Sequence, residues 1–237
     1  MSWTLVTGGS RGLGATLCSI LAQKGHNIAL QYRVSKEAAE GIVQQCQAHG
    51  VQAYALQGDF STPQGVNLFL NSYLEQCTET RAVINNASEY HLGTASETPP
   101  SIWQHLFQVN LHAPIAIINA LLPSLRRNQG AILNLGVAGL VKQHADTHAS
   151  GYFSSKSALW SVTRSWAKEE ASHLISCNMV SPGYLETSED HPMSVDRLPM
   201  QRLASLNEVS RLIAFLLEKE NSYITGQNIE ISGGVRL

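Results

Sequence analysis

The chain alternates between two hydrophobic periods along its whole length. Short apolar runs rich in β-branched residues predict strands over residues 3–7, 27–32, 52–57, 82–85, 131–135, 176–180 and 228–231. Helical periodicity between them predicts helices over residues 12–24, 35–49, 64–74, 101–127, 151–173 and 207–219. Strands that alternate with helices form right-handed βαβ units. The pattern therefore predicts the α/β class, with a doubly wound, Rossmann-like parallel sheet covered by helices on both faces.

A single domain is expected. No linker, internal repeat or low-complexity tract interrupts the alternation, so residues 1–237 are predicted to form one unit. A chain of this length can bury a sizeable core. In doubly wound sheets the ligand lies beyond the carboxyl ends of the strands, near the point where the strand order reverses. The residues just after each predicted strand are therefore the candidate functional residues.

Composition and charge exclude several classes of protein. A hydrophobic fraction of 43% excludes wholesale disorder, and a net charge of −2 without a basic run argues against nucleic-acid binding. The four cysteines form no CxxC pair, which favours a reduced, intracellular chain. No apolar run approaches the roughly 20 residues of a membrane helix. A glycine-rich motif beginning at Gly8 leaves no room for a signal peptide, so a cytoplasmic location is expected.

A glycine-rich loop, Thr7-Gly8-Gly9-Ser10-Arg11-Gly12-Leu13-Gly14, follows the first predicted strand. Glycines permit positive φ and let backbone amides approach a phosphate, while the next helix offers its positive end. The spacing GxxxGxG differs from the GxGxxG fingerprint, and a turn without a ligand is the alternative interpretation. Its position after strand one nevertheless predicts dinucleotide binding. The residues predicted to bind are Gly8, Ser10, Arg11, Gly12, Leu13 and Gly14.

Four motifs resemble those of the short-chain dehydrogenase/reductase family, in the same order along essentially the whole chain. They are Thr7-Gly8-x-x-x-Gly12-x-Gly14, Asn85-Asn86-Ala87, Tyr152-x-x-x-Lys156 and Pro182-Gly183. The resemblance implies that Asp59 bonds the adenine and that Asn85, Asn86 and Ala87 line the adenine-ribose side. It also implies that Pro182, Gly183 and Thr187 hold the nicotinamide. Each of these residues has an alternative structural role, as a turn cap, a partner of backbone groups or a loop residue.

The resemblance implies the catalytic residues as well. Tyr152 and Lys156 are four residues apart and share one face of the predicted helix. In the resembled family the tyrosine is the general acid in carbonyl reduction, and the lysine lowers its pKa and bonds the nicotinamide ribose. Asn110 matches the helix asparagine that helps to hold a water-linked proton relay to the lysine. The alternatives are a solvated Tyr–Lys pair and a helix kink at Asn110.

The residues after strand two bear on the choice of nicotinamide cofactor. An acidic residue there would accept hydrogen bonds from the ribose 2′-OH and favour NAD. This chain has Gln31-Tyr32-Arg33 instead, and Arg11 lies in the glycine loop. Two guanidinium groups suit the 2′-phosphate of NADP, so the sequence predicts NADP(H). The alternative is that Arg33 is a solvated loop charge.

The serine that the family usually places after strand five is missing. Two alignments put either Gly136 or Val137 there, and neither side chain donates a hydrogen bond. Losing such a donor costs roughly 10²–10³ in rate, so weak activity is expected unless another residue compensates. The segment that follows looks a few residues longer than usual, and we favour compensation from within it. Its candidate replacements are His144, Asp146, Thr147, His148 and Ser150.

The sequence as a whole predicts an NADP(H)-dependent carbonyl reductase or alcohol dehydrogenase, most similar to 3-oxoacyl-acyl-carrier-protein reductases. The alternatives are a pteridine reductase, favoured by the ending Asn85-Asn86-Ala87-Ser88, and a non-catalytic NADP-binding regulatory protein. No metal site is predicted, because His144 and His148 beside Asp146 have no identifiable further ligands. The apolar helices over residues 115–125 and 159–166 predict a symmetric homo-oligomer, a homotetramer by resemblance or else a dimer.

Overall fold

A computed structural model describes residues 2–142, 145–188 and 194–235. Within this part of the chain the strands are β1 (Trp3–Val6), β2 (Asn27–Tyr32), β3 (Ala53–Gln57), β4 (Thr80–Asn85), β5 (Ala131–Leu135), β6 (Ser176–Pro182) and β7 (Asn228–Ile231). The α-helices are α1 (Gly12–Gln23), α2 (Lys36–Gln47), α3 (Pro63–Gln76), α4 (Pro100–Phe107), α5 (Ala113–Asn128), α6 (Ser150–Glu169) and α7 (Leu206–Leu216).

The strands form a single parallel sheet in the order β3-β2-β1-β4-β5-β6-β7. The strand order reverses at β1, because β1 pairs with β2 on one side and with β4 on the other. Leu5 of β1 lies opposite Ala29 in β2 and opposite Val83 in β4. The predicted doubly wound α/β fold is confirmed, and the reversal places a crevice at the carboxyl ends of β1 and β4.

Successive residues of each strand enter two separate cores. Leu5 and Val83 belong to the core under α3, α5 and α6, whereas Val6 and Ile84 belong to the core under α1, α2 and α7. Alternate side chains of a strand point to opposite faces, so a strand covered on both faces is apolar at nearly every position. This explains why the strands appear in the sequence as continuous apolar runs.

The long helix predicted over residues 101–127 is interrupted. A π-helical turn, Gln108–His112, separates α4 from α5. Such single wide turns occur often at functional sites, because they redirect one side chain out of the regular helical pattern. Here the turn carries the buried side chain of Asn110.

The combined stretch Pro100–Asn128 satisfies the length and composition of a membrane span, with a mean hydropathy of 1.3 in its most apolar window. The expectation that no stretch is long enough was therefore too strict. Half of that window is buried inside the protein, and the core helices of other proteins pass the same test. The stretch is thus weak support for a membrane span.

Candidate active site

A cavity of about 880 Å³ opens at the carboxyl ends of the strands, beside the reversal at β1 and β4. Nearly all of the predicted cofactor-binding residues line it. They are Gly8, Ser10, Arg11, Gly12, Leu13, Gly14, Arg33, Asp59, Asn86, Ala87, Tyr152, Lys156, Pro182, Gly183 and Thr187. Asn85 and Asn110 are not among the lining residues. The fold therefore brings the motifs of five strand ends into one cavity.

The glycine loop has the backbone that a phosphate cradle requires. Gly8 and Gly12 have φ values of +64° and +54°, which favour glycine. A Cβ atom on Gly14 would lie 2.1 Å from the Gly8 carbonyl oxygen, so the loop packs directly on α1. The N-cap residue of α1, Arg11, makes no side-chain capping bond, and no acidic residue stands in the first turn. The positive end of α1 thus suits the pyrophosphate of a dinucleotide.

Two side-chain amides hold this loop in place, that of the buried Gln31 and that of the half-buried Asn86. The Gly8 amide donates to Gln31 Oε1 over 2.8 Å, and Gln31 Nε2 donates to the Gly58 carbonyl over 2.6 Å. Asn86 Nδ2 donates to the Thr7 carbonyl over 2.9 Å. Sequence reasoning considered Gln31 only for the carboxylate it lacks and missed its positioning role. The available signal was a polar residue inside an otherwise apolar strand.

The Asn85 side chain bonds to another buried side chain and does not line the cavity. It is buried, and its Nδ2 donates to Asn134 Oδ1 over 2.8 Å. Asn134 Nδ2 in turn donates to Thr163 Oγ1 over 2.9 Å, so the amides tie β4 to β5 and to α6. The side chain of Asn85 points away from the face that Asn86 presents, because adjacent residues at a strand end point in opposite directions. Its expected contact with the adenine ribose is therefore not supported.

Asp59 caps a turn, and its position is also compatible with the predicted adenine contact. Its side chain is exposed and lines the cavity, as the predicted adenine contact requires. Its Oδ1 also accepts the Ser61 amide over 3.0 Å and so stabilises the turn after β3. Hydrogen bonding from Ser61 is the main cause that lowers the pKa of the Asp59 carboxyl.

Arg33 faces the carboxylate of Glu89, a contact that no local sequence pattern predicts. The Arg33 guanidinium forms an ion pair with Glu89, which follows β4, and both residues line the cavity. His105 Nε2 lies 3.9 Å from the same carboxylate. The Arg33 side chain is half exposed, so it reaches the cavity but is already partnered. No local pattern links residues 33 and 89, since only the sheet order brings the ends of β2 and β4 together.

Tyr152 and Lys156 lie together on α6 and face the cavity. The fully buried Lys156 Nζ donates to the Leu135 carbonyl over 2.8 Å and lies 5.7 Å from the centroid of the Tyr152 ring. Burial lowers the pKa of Lys156 to about 7. Burial also raises the pKa of Tyr152 to about 12, and hydrogen bonding by Ser88 opposes that rise. Desolvation is thus the largest influence on the pKa of Tyr152, and it acts in the direction opposite to that expected from a neighbouring ammonium.

Asn110 connects the loop after β4 to the helix that carries Tyr152. Its Oδ1 accepts the Glu89 amide over 2.9 Å and the Ser88 hydroxyl over 3.0 Å. Its Nδ2 donates to the Glu89 carbonyl over 2.9 Å and to Ser155 Oγ over 3.0 Å. These four bonds use the whole hydrogen-bonding capacity of the side-chain oxygen and amide protons. Asn110 therefore positions residues 88 and 89, and none of these bonds runs to Lys156.

The two candidate positions for the family's serine differ in their surroundings. A Cβ atom on Gly136 would lie 2.3 Å from Ser181 Oγ and 2.7 Å from Met179 Sδ, so a side chain there requires these two buried side chains to move. Val137 lines the cavity and is half-buried. Of the two positions, Val137 is thus the one that already presents a side chain at the cavity, and that side chain offers only methyl groups.

The longer segment before α6 supplies few replacements for a hydroxyl donor. Ser150 Oγ donates to the Asp146 carbonyl over 2.6 Å, and Asp146 Oδ1 accepts the amides of His148 and Ala149. Asp146 and His148 line the cavity, whereas Thr147 and Ser150 are not among its lining residues. His144 lies outside the described residues. In the described ranges, no group of three or more His, Cys, Asp or Glu residues is arranged to hold a metal ion.

Comparisons with known proteins agree with this geometry. The profile of the short chain dehydrogenase family matches residues 2–197. The chain is 30% identical to the 3-oxoacyl-[acyl-carrier-protein] reductase of Staphylococcus aureus over 240 residues, which is 98% of this chain and 96% of the relative. The corresponding protein of Staphylococcus epidermidis is 29% identical over 239 residues, covering 98% of this chain and 97% of the relative.

Two solved structures extend the similarity to the whole fold. A blue fluorescent protein from a metagenomic library, in complex with NADPH, superimposes with a TM-score of 0.92 at 29% identity and covers 100% of this chain and 98% of its own. A short chain dehydrogenase from Burkholderia cenocepacia, in complex with NADP, gives 0.91 at 28% identity with the same coverage. Both bind a nicotinamide dinucleotide of the kind that the glycine cradle fits. This chain is an oxidoreductase that belongs to the short-chain dehydrogenase family.

Proposed function

We propose that the protein is an NADP(H)-dependent reductase of ketone or aldehyde carbonyls, with 3-oxoacyl thioesters as the first substrate class to test. The observation that carries the proposal is the Tyr152–Lys156 pair, which faces the same cavity as the glycine loop. The loop fits a pyrophosphate at one end of the cavity, and the phenol supplies a proton donor at the other. The 3-oxoacyl reductase relatives support the substrate class.

Each group in the cavity has a proposed task. The bound nicotinamide dinucleotide supplies the hydride for reduction. Asp59, Asn86 and Ala87 hold its adenosine half, and Pro182, Gly183 and Thr187 hold its nicotinamide half. Lys156 keeps its bond to the Leu135 carbonyl and would donate its remaining N–H groups to the nicotinamide ribose. Tyr152 donates its phenolic proton to the carbonyl oxygen of the substrate.

Tyr152 is in its protonated form at neutral pH, as a proton donor must be. The pKa of Tyr152 is raised to about 12, so the phenol is fully protonated at neutral pH and ready to donate. The pKa of Lys156 is lowered to about 7, so its ammonium form becomes more populated as the pH falls below neutrality. Alcohol oxidation would need the phenolate of Tyr152, which burial disfavours, so the state of Tyr152 favours carbonyl reduction near neutral pH.

A pteridine reductase remains a second candidate, and one structural observation favours it. Tyr90 presents an aromatic ring at the cavity, packed edge-to-face on Tyr152 with 4.9 Å between the ring centroids. Such a ring suits a flat heterocyclic substrate. NADPH oxidation should therefore be measured with 3-ketoacyl thioesters, simple ketones and dihydropteridines in parallel. Binding of NADPH without turnover of any of them would favour a non-catalytic regulatory protein.

The cofactor preference makes a separate prediction. Replacement Arg33→Ala is expected to weaken NADPH binding by about tenfold, the lower end of a charge-assisted phosphate contact because the side chain is half exposed. NADH binding should change little, since NADH lacks the 2′-phosphate. Calorimetry with both cofactors measures the difference. Lys24→Ala removes a positive charge that pairs with Glu218 and does not line the cavity, and it is the matched control.

A second variant, at Glu89, tests the same contact between Arg33 and the 2′-phosphate. Because its carboxylate competes with a phosphate for Arg33, Glu89→Gln is expected to strengthen NADPH binding and leave NADH binding nearly unchanged. Equal affinities of the wild type for the two cofactors, or a preference for NADH, would contradict the assignment of NADP(H).

We also propose that the protein assembles as a symmetric homo-oligomer, a tetramer or a dimer. Ile115 and Leu122 of α5 and Trp160 of α6 are only partly buried in one chain, although each is strongly apolar. A second copy would remove this apolar surface from water. Light scattering at micromolar concentration is expected to give a multiple of the 25.8 kDa chain mass, and a monomeric mass would rule assembly out.

A cytoplasmic location is proposed on the state of the cysteines. All four cysteines are buried and have free thiols, namely Cys18, Cys46, Cys77 and Cys177. Free thiols persist in reducing compartments.

A further inference from the structure

The proposed reaction requires a hydrogen-bond donor beside Tyr152 that the strand end does not provide. Val137 lines the cavity with methyl groups, and Gly136 has no side chain to donate a hydrogen bond. Ser150 is committed to the turn that begins α6. Asp146 is a hydrogen-bond acceptor when ionised and already receives two backbone amides. The side chains with a donor that remain at the cavity include His148 of this segment and Ser88, which follows β4.

Ser88 is the hydroxyl that the fold brings to this place. It follows β4 directly after Ala87 and lines the same cavity as Tyr152. Two residues further on, Tyr90 packs edge-to-face on the Tyr152 ring with 4.9 Å between centroids. The loop that carries Ser88 is thus held against the phenol. Hydrogen bonding by Ser88 lowers the pKa of Tyr152 and opposes the effect of burial.

A buried network fixes the position of this hydroxyl. Ser88 Oγ donates to Asn110 Oδ1 over 3.0 Å, and Asn110 Nδ2 donates to Ser155 Oγ over 3.0 Å. Ser155 Oγ closes the network by donating to the Tyr152 carbonyl over 2.7 Å. Ser88 is therefore connected through two buried side chains to the helical turn that carries Tyr152. Such a connection orients a donor before the substrate arrives, which is what electrostatic stabilisation requires.

We propose that Ser88 replaces the missing serine of this site, by donating a hydrogen bond to the carbonyl oxygen of the substrate while Tyr152 delivers the proton. This inference rests on the proposed carbonyl reduction. In the resting site the single Ser88 proton is shared between Asn110 Oδ1 and the Tyr152 phenol, and it turns toward the substrate oxygen when the carbonyl is polarised. Asn110 Oδ1 remains satisfied by the Glu89 amide at 2.9 Å. The rotation consumes no proton, since the transferred proton comes from Tyr152 alone.

The central test is Ser88→Ala. Its kcat for carbonyl reduction is expected to fall by about 10²-fold, the usual cost of removing one such donor. NADPH affinity and the KM for substrate should change much less, because the bond strengthens as negative charge develops on the oxygen. Ser88→Thr keeps a hydroxyl and should retain most of the activity. Ser157→Ala removes a hydroxyl from α6 that bonds the Phe153 carbonyl and does not line the cavity, so it should leave kcat unchanged.

A rescue experiment separates a chemical role from a structural one. In the Ser88→Ala background, Val137→Ser restores a hydroxyl at the usual position, and we expect it to recover most of the lost kcat. His148→Ala in an otherwise unchanged chain should cost little. Wild-type kcat in Ser88→Ala, or a large loss in His148→Ala alone, would overturn the assignment of Ser88 while leaving the proposed function intact. A wild type that binds NADPH and reduces no carbonyl would overturn both.

Discussion

Replacement of Tyr152 by phenylalanine is expected to lower kcat for carbonyl reduction by about 10³-fold, within the range attributed to a positioned general acid. The substitution removes one hydroxyl and keeps the aromatic ring that Tyr90 and Lys156 contact. The cavity and the glycine loop should therefore persist, and NADPH should bind nearly as tightly as it does to the wild type. Steady-state NADPH oxidation together with calorimetric titration measures both quantities.

Tyr54→Phe is the matched control for this experiment. Tyr54 stacks on Trp3 with 5.0 Å between ring centroids and does not line the cavity. Loss of its hydroxyl should leave kcat unchanged. If Tyr152→Phe retained wild-type turnover, Tyr152 would not be the proton donor, and the assignment of the active site to the Tyr152–Lys156 pair would be wrong.

The second large effect is expected at the glycine loop. Gly14→Ala places a Cβ atom 2.1 Å from the Gly8 carbonyl oxygen and 2.7 Å from Asn86 Nδ2. The nearest obstacle is backbone, which cannot rotate away, so the loop must move off α1. We expect NADPH affinity to fall by about 100-fold or more, because several amide contacts to the pyrophosphate are misplaced together. Titration calorimetry on the folded variant measures the loss.

Gly41→Ala makes the same chemical change as Gly14→Ala and is expected to leave NADPH affinity unchanged. Gly41 lies inside α2, and a Cβ atom there would meet no heavy atom within 4 Å. Alanine in a helix interior is more stable than glycine by roughly 0.5–1 kcal/mol. Thermal unfolding should therefore show equal or greater stability, with NADPH affinity unchanged. Unchanged NADPH binding by Gly14→Ala would mean that the loop does not hold the cofactor.

The boundaries of most helices and strands could be predicted because the apolar runs and helical periodicities that mark them are local in the sequence. The strands predicted at 27–32, 131–135 and 228–231 match β2, β5 and β7 residue for residue. The clearest discrepancy lies over residues 101–127, where the π-helical turn divides the predicted helix. Apolar periodicity continues through that turn, so the pattern contains no sign of it. The turn forms because Asn110 satisfies groups on a loop and on another helix, and those partners are 21 to 45 residues away.

The sequence by itself determined the alternation of strands and helices, the glycine-rich loop and the Tyr152–Lys156 pair, because each depends on residues that are neighbours along one strand, loop or helical turn. Only the tertiary structure decided which asparagine faces the cavity, which carboxylate pairs with Arg33 and which hydroxyl lies beside Tyr152. Asn85 and Asn86 are adjacent in the chain and have opposite roles, since the strand end directs one into the scaffold and the other to the loop. Contacts between strand ends depend on sheet order and on packing, and these are set by the buried surface of the whole chain rather than by any local pattern.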